Sequence, residues 1–568
     1  MLLDRSEWLH ENAPRRQQLL HLRTGQVGEE SGTSHESTLA ARRGLVGKND
    51  PVGTTDFDAI VVGAGHNGLV CAAYLARGGM RTLLVEARST VGGTASSERF
   101  ADATVNICNC DHLTFRTTPV IDELRLADHG LRYLDVEPAQ LNMAWSGGPA
   151  WASHHSVDAT LDSLAHTHPG EVDGYRRYLD VALPAVRLVL AAAAEPPSPV
   201  GLLRRVASMR GRGALTLLRW SRRSAADVMR SYFRTDALQG PGMVTGPMVW
   251  GISPEFAGSG LGALTYAFRH VGTVGRPVGG SGEVPRTLLA AFEAAGGRLM
   301  ASTKVAAITC EGPDVRGIVL ADGTEITAPT VVSACNPHDT FLKWLTNAPP
   351  QAHGLIERWR SVRHDDGYES KIDAVLTSAP VVDRVREAGF DRPVAATHVI
   401  APGLADIHRG YELMQRGEVL DRPGFLVNTP SVDDPTLTGD SRHVFSLEAL
   451  FTPYALRGGW PGSEEASRWL DVFGGLTGTG FRDTVIDWRV LTPDLYERDF
   501  HLPHGHATSF AGGPLAAFRN EHPELTRYAT AVGGLFLTGA ATFPGAGVWG
   551  ASGRNAALTV LRSRGATA

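Results

Sequence analysis

Phe57-Asp-Ala-Ile-Val-Val62 followed by Gly63-Ala-Gly65-His-Asn-Gly68-Leu69 is the stretch on which the fold turns. Its first six residues make a short apolar run, the mark of a strand buried in a parallel sheet. From Leu69 to Ala76 the apolar spacing becomes helical, with Ala72, Ala73, Leu75 and Ala76 as good helix formers, until Gly78-Gly79 stop it. A second apolar strand, Thr82-Leu-Leu-Val85, ends at Glu86. Strand, glycine turn, helix and strand within about 30 residues make one βαβ unit. The glycine spacing then has a mechanical reason. Gly63 makes the tight turn, Gly65 lets backbone N–H groups approach a pyrophosphate, and Gly68 permits close packing of helix on strand. The pyrophosphate lies at a helix N-terminus, where unpaired N–H groups and the dipole favour negative charge. Glu86 stands 23 residues after Gly63, where a carboxylate accepts hydrogen bonds from both ribose hydroxyls and repels a 2′-phosphate. The segment predicts a dinucleotide site closed to NADP.

Two further segments favour FAD over NAD. Val91-Gly-Gly-Thr94 follows shortly after Glu86, its small residues suited to backbone contact with the flavin side of an extended cofactor. Far along the chain, Gly534-Leu-Phe-Leu-Thr538 is another apolar strand. Gly539-Ala-Ala-Thr-Phe-Pro-Gly-Ala-Gly-Val548 and the helical Ala551–Leu561 come after it, a second glycine turn opening a helix. Between the two ends, Gly279-Gly280 opens an α/β stretch. It predicts a helix over 285–295, a strand over 304–309, a hairpin of 315–320 with 325–328 across Asp322-Gly323, and a strand at 331–333. Residues 160–275 differ in character. They are rich in Ala, Leu and Arg, with helical spacing over 175–194 and 215–233. Residues 360–490 alternate strand-like and loop-like pieces without a motif.

These segments together resemble the phytoene desaturase-like family of FAD enzymes. More narrowly they resemble its branch of pyridine nucleotide-disulphide oxidoreductase domain-containing protein 2 and carotenoid-ketolase relatives. The residues that carry the resemblance are Val61–Leu69, Glu86, Val91–Thr94, Arg276-Pro-Val-Gly-Gly-Ser-Gly282 and Pro544-Gly-Ala-Gly-Val-Trp-Gly-Ala-Ser-Gly-Arg-Asn-Ala-Ala557. The resemblance covers about residues 56–560. It implies non-covalent FAD at Gly63, Ala64, Gly65, His66, Asn67, Gly68, Glu86, Ala87, Gly93, Thr94, Val305, Gly539, Ala540, Gly547 and Val548. The expected fold class is α/β. A Rossmann-type FAD-binding domain is assembled from 56–150, 276–335 and 530–568, beside a mixed-sheet and helical substrate domain from 151–275 and 336–529. Two places depart from the family pattern. His506 and Ser509 stand where relatives carry a Gly-Asn pair and a later His, and Ala540 follows Gly539 where many flavin amine-oxidase relatives have Asp.

Composition narrows the function. The 568 residues carry 54 basic and 60 acidic side chains, a formal charge of −6 that argues against a general nucleic-acid binder. The five cysteines are odd in number and thinly spread, so no disulfide framework is expected and a reducing, cytoplasmic compartment fits. Residues 1–55 read as a polar extension with neither the apolar core of a secretory signal nor the acid-poor composition of a transit peptide. No second Gly-x-Gly-x-x-Gly follows an apolar strand, and no Cys-x-x-Cys lies near the flavin segment. Neither a dedicated NAD(P)H domain nor disulfide redox chemistry is therefore expected.

What remains is oxidation of a substrate with electrons passing to oxygen or a quinone. From the resemblance, the expected substrate is a long hydrophobic molecule, a carotenoid, isoprenoid or fatty-acyl chain, that is desaturated, otherwise oxidised or isomerised. A flavin amine oxidase on a smaller polar substrate and a flavin-binding protein with a partner or assembly role stay open as alternatives. Segment 196–226 holds Arg204, Arg205, Arg210, Arg212, Arg219, Arg222 and Arg223 with no acid, interleaved with leucines. That pattern suits either a peripheral contact with an anionic membrane or a solvated helix face. His154-His155 and His501, His504, His506 are too few and too loop-like to predict a metal, and none is expected. His112 follows the flavin segment as a turn histidine, either facing the ring or bonded locally, and no catalytic residue is predicted.

Overall fold

The computed structural model describes residues 56–565 apart from 109, 479 and 507–521. The polar extension 1–55 and Ser509 lie outside the described residues. Ala59–Val62 and Thr82–Val85 pair in parallel, and Val331–Ser333, Leu535–Leu537 and Arg298–Met300 complete a five-stranded parallel sheet. Its order is 535–537, 331–333, 59–62, 82–85, 298–300. The three central strands and Leu535–Leu537 are buried along their whole length and almost wholly apolar because both faces are covered. Ala59, Val61, Leu84, Val332 and Phe536 pack against helices that include His66–Arg77, Glu283–Ala294 and Ala551–Ser563. Ile60, Val62, Leu83, Val85, Val331 and Leu537 pack against a four-stranded sheet built on Val305–Glu311 and its hairpin partner Asp314–Leu320. The expected elements of this half lie within three residues of their predicted bounds, the largest difference being the first helix, which starts at His66. The helix His66–Arg77 ends as its glycines require: Gly78 and Gly79 return their N–H groups to the carbonyls of Tyr74 and Ala76 at 2.9 Å.

The second half is a seven-stranded sheet in the order 485–491, 369–376, 443–450, 424–428, 397–401, 140–144, 147–153. Neighbours are antiparallel except Gln140–Ala144, which runs parallel to Thr397–Ala401. Cross-strand register divides its side chains by face. Ile372, Leu447, Val427 and Ile400 join one apolar core, backed by Trp469 and Phe473. On the opposite face, Val399 and Trp151 meet the helical layer through Tyr175, Tyr178, Phe233 and Tyr266. Each of those aromatics buries enough apolar surface to contribute about 2–3 kcal/mol. The helices over it are Val172–Ala193, Ala225–Tyr232, Asp236–Val244 and Thr265–Val271. The helix expected over 215–233 is two, because Ser224 turns the chain and caps the second through a 3.0 Å bond from the Asp227 N–H.

The domain bounds need one correction. The expected boundary at residue 150 falls inside the strand Gly147–Ser153, and both it and Gln140–Ala144 belong to the seven-stranded sheet. The run Gln140–Ala144 reads as a strand in sequence, but the partner that assigns it to a sheet lies more than 250 residues away at Thr397. The described residues from 56 onward form one compact unit.

Candidate functional site

At the first glycine turn, Gly63 takes φ +96° and donates its N–H to the Val85 carbonyl at 2.8 Å, which sends the chain sharply from strand into helix. A Cβ on Gly68 would sit 2.0 Å from the Gly63 carbonyl oxygen, so the helix meets the turn backbone to backbone. A Cβ on Gly65 would meet nothing within 4 Å. The helix there is capped by no side chain, and its open N–H groups face the space that Gly65 leaves free. Glu86 is buried at the end of the neighbouring strand, and its carboxylate accepts the Ala64 N–H at 2.7 Å and the Arg88 N–H at 2.9 Å. Those two bonds fix a carboxylate beside the turn with lone pairs left for a further donor. The Gly93-Thr94 turn presses on the same place: the Gly92 N–H bonds the Ala64 carbonyl at 2.7 Å, and a Cβ on Gly93 would lie 3.4 Å from the Gly65 Cα. Ala87 follows the acid in the chain, and Val305 opens its strand two residues after Thr303, whose N–H bonds the Glu86 carbonyl at 2.8 Å.

The C-terminal glycine segment closes on this turn from the other side. Asn67 Oδ1 accepts the Gly553 N–H at 3.4 Å, and a Cβ on Gly553 would lie 2.2 Å from the Asn67 carbonyl, so the two helices touch at their N-termini. Gly539 bonds through its N–H to Ser552 Oγ at 3.2 Å, and Thr114 Oγ1 donates to the Val548 carbonyl at 2.8 Å. Ala540 follows Gly539, partly buried. The His66 ring reaches the Gly547 carbonyl, while its Nε2 is buried without a partner. Burial pushes His66 down to about 4, so it stays neutral and keeps one nitrogen free for a further bond. An uncovered helix start, a fixed acid beside it and an unpartnered buried imidazole beyond it make a cradle that fits an extended dinucleotide.

Beyond the cradle, residues 106–112 lie against the seven-stranded sheet, and buried polar groups line that contact. His112 is buried with both ring nitrogens committed, to Tyr133 Oη at 3.0 Å and Ser281 Oγ at 3.1 Å; burial pushes it down to about 3. Asp111 accepts from Arg276 Nε at 2.8 Å and from Thr397 Oγ1 at 2.7 Å. Glu369, Lys371 and Asp373 alternate along one strand, so all three point to this side of the sheet. Cys108 Sγ lies 3.5 Å from Glu369 Oε1, Lys371 bonds Asp373 and, at 2.8 Å, the Asn106 carbonyl, and Arg489 Nε reaches Asp373 at 3.2 Å. Glu448 faces Lys371 across the strands. Burial pushes Glu369 up to about 7 and Glu448 up to about 8, so both hold protons near neutrality and can give or take one there.

The flavin containing amine oxidoreductase family model matches residues 68–360. This chain belongs to that family. It is an FAD-dependent oxidoreductase. It is 28% identical over 560 residues to the rat pyridine nucleotide-disulfide oxidoreductase domain-containing protein 2, covering 89% of this chain and 94% of that one. It is 25% identical over 513 residues to the lycopene-forming phytoene desaturase of Paracoccus sp. (strain N81106 / MBIC 01143), covering 87% and 95%. In fold it is similar to cyclohexylamine oxidase from Brevibacterium oxydans IH-35A, with a TM-score of 0.58 at 15% identity over 90% of this chain and 100% of that one.

In this oxidoreductase the expected cofactor positions from Gly63 to Thr94 gather at the first helix, and Gly539 to Val548 meet them across His66, Asn67 and Thr114. The paired histidines do not gather. His154 Nδ1 bonds Glu137 at 2.5 Å, His155 Nδ1 bonds the Arg269 carbonyl at 3.2 Å, and His504 Nδ1 bonds Asp366 at 2.7 Å. Sequence reasoning missed Glu369, Lys371 and Glu448. The available signal was three charged residues spaced by two in a stretch with strand character, against the rule that such positions alternate with polar groups facing water.

Proposed function

We propose that this oxidoreductase dehydrogenates or isomerises a long hydrophobic substrate, of the carotenoid, isoprenoid or fatty-acyl kind, at a cytoplasmic membrane surface, with oxygen or a quinone as electron acceptor. One observation carries the reading. Leu202, on the helix spanning 199–208, packs into one apolar cluster with Ala192 and Ala193 at the end of the helix Val172–Ala193 and with Phe543, Trp549 and Ala551 of the C-terminal segment. The same helix turns Val200 and Leu203 outward at 66% and 64% exposure, and Leu215 and Leu218 stand exposed nearby among the arginines. An apolar connection therefore runs from an exposed basic face to the cofactor side of the molecule. No helix among the described residues is long and apolar enough to cross a membrane, so the contact in this reading is peripheral. The relatives support the substrate class in part, since one of them is a phytoene desaturase.

In this reading Gly63, Ala64, Gly65, His66, Asn67, Gly68, Glu86, Ala87, Gly93, Thr94, Val305, Gly539, Ala540, Gly547 and Val548 hold FAD. Bound there, FAD supplies the two-electron acceptor. The chain's own part is to orient the substrate, exclude water and hold protons on Glu369 and Glu448. Two experiments test the reading. The FAD-loaded protein should sediment with anionic phosphatidylglycerol vesicles at low salt and release at high salt. Its flavin should bleach anaerobically with apolar polyenes; bleaching by amines alone would overturn the substrate class.

A further inference from the structure

Arg269 lies on the helix Thr265–Val271, whose other residues tie it to the interior. Tyr266 donates to the Leu238 carbonyl at 2.6 Å, and Phe268 packs edge-on against Trp549 with ring centres 6.5 Å apart. The Arg269 Nε is buried with no hydrogen-bond partner. Among the described residues, no side chain hydrogen-bonds its guanidinium and no carboxylate pairs with it. The acid whose field reaches it, Asp111, is already committed to Arg276 and Thr397. Tyr175 and Tyr266 border it, and burial pushes the guanidinium below its usual range. Arginine does not discharge in proteins, so this half-buried guanidinium stays positive with its Nε buried and no carboxylate paired to it. The phosphates of a dinucleotide belong at the open helix start by Gly65. The helix that carries Arg269 meets Trp549 through Phe268 instead, beside the C-terminal glycine segment.

We propose that Arg269 binds the carboxylate head of an otherwise apolar substrate, so that the physiological substrate is a long-chain or isoprenoid carboxylic acid rather than a hydrocarbon. The proposal rests on the hydrophobic-substrate reading above and narrows it. Guanidinium–carboxylate pairing is charge-assisted and two-pronged, which selects an acid over the matching alcohol.

The test titrates the FAD-loaded full chain with oleate, oleyl alcohol and 1-octadecene, following the shift of the flavin absorption bands and so needing no turnover. Oleate should bind about tenfold to a hundredfold more tightly than the alcohol. Arg269→Met should abolish that preference and Arg269→Lys keep part of it. Equal binding of acid and alcohol to the wild-type protein would overturn the proposal, as would an undiminished preference in Arg269→Met. If all three ligands shift the flavin equally, only the role of Arg269 falls. If none does, the hydrophobic-substrate reading falls with it. Thermal unfolding without ligand gives a second readout. Arg269→Met should raise Tm, because it removes an unpaired, half-buried charge, whereas a lowered Tm would mark Arg269 as structural and overturn the assignment.

Discussion

The glycine cradle and the polar face of the seven-stranded sheet are both largely buried, yet they are made of different material. The cradle is backbone: glycines, helix starts and main-chain N–H groups, with Glu86 and His66 as its chief side chains. The polar face is side chains: Glu369, Lys371, Asp373, Glu448 and Arg489 meeting Cys108 and Asn106 from a distant segment. A backbone site tolerates no added atoms, while a side-chain site tolerates no unbalanced charge, and the two fail in distinguishable ways.

The largest effect is expected on the polar face. Asp373→Ala leaves Lys371 and Arg489 without their shared carboxylate and should cost about 3–5 kcal/mol in chemical denaturation, with flavin content per folded molecule unchanged. Next comes pH. In the unfolded chain Glu369 and Glu448 ionise near the ordinary 4.5, but in the folded protein they hold protons to about 7 and 8. Between those values the folded state binds more protons, so stability should fall as pH rises from about 5 to about 8 and level off above. Glu448→Gln should flatten part of that slope; a slope unchanged in the variant would remove Glu448 from the account. In the cradle, Gly68→Ala drives a methyl into the Gly63 carbonyl and should cost about 1–3 kcal/mol together with the flavin. The smallest effect on stability sharpens the contrast most. Gly65→Val points into space that no protein atom occupies, so the apo protein should melt within about 0.5 kcal/mol of wild type while FAD binding is lost. If Gly65→Val destabilised the apo chain as much as Gly68→Ala does, the open space beside Gly65 would be packing and not a binding cradle.

The same difference in material governs what could be read from the sequence. The cradle was legible because its parts are local: Gly63 to Gly68 and Glu86 carry their spacing within one βαβ unit, and Gly539 to Gly550 repeat the logic at a second helix. The polar face was not, because its meaning lies in pairings. Nothing in Gln140–Ala144 names Thr397 as its neighbour, and nothing near Cys108 points to Glu369 across 261 positions. Arg269 was hidden for another reason. An arginine at the end of a short helix reads as a solvated charge, and only the enclosure by Tyr175, Tyr266 and Asp111 sets it apart. Residues 215–233 have the spacing of one helix, since the serine that interrupts them at 224 is helix-compatible until its side chain caps the turn beginning at Ala225.

The contact between Asn67 and Gly553 joins residues 486 positions apart. At ribosomal speeds of about 5–20 residues per second, roughly 25–100 s separate the synthesis of one partner from that of the other. Throughout that interval the first helix start exists without the segment that encloses it, and the edge of the parallel sheet at Val331–Ser333 waits for Leu535–Leu537. The nascent chain therefore has only half a cofactor site to offer. In the proposed reading flavin loading follows synthesis of Val548, and a chain truncated before that residue should stay colourless.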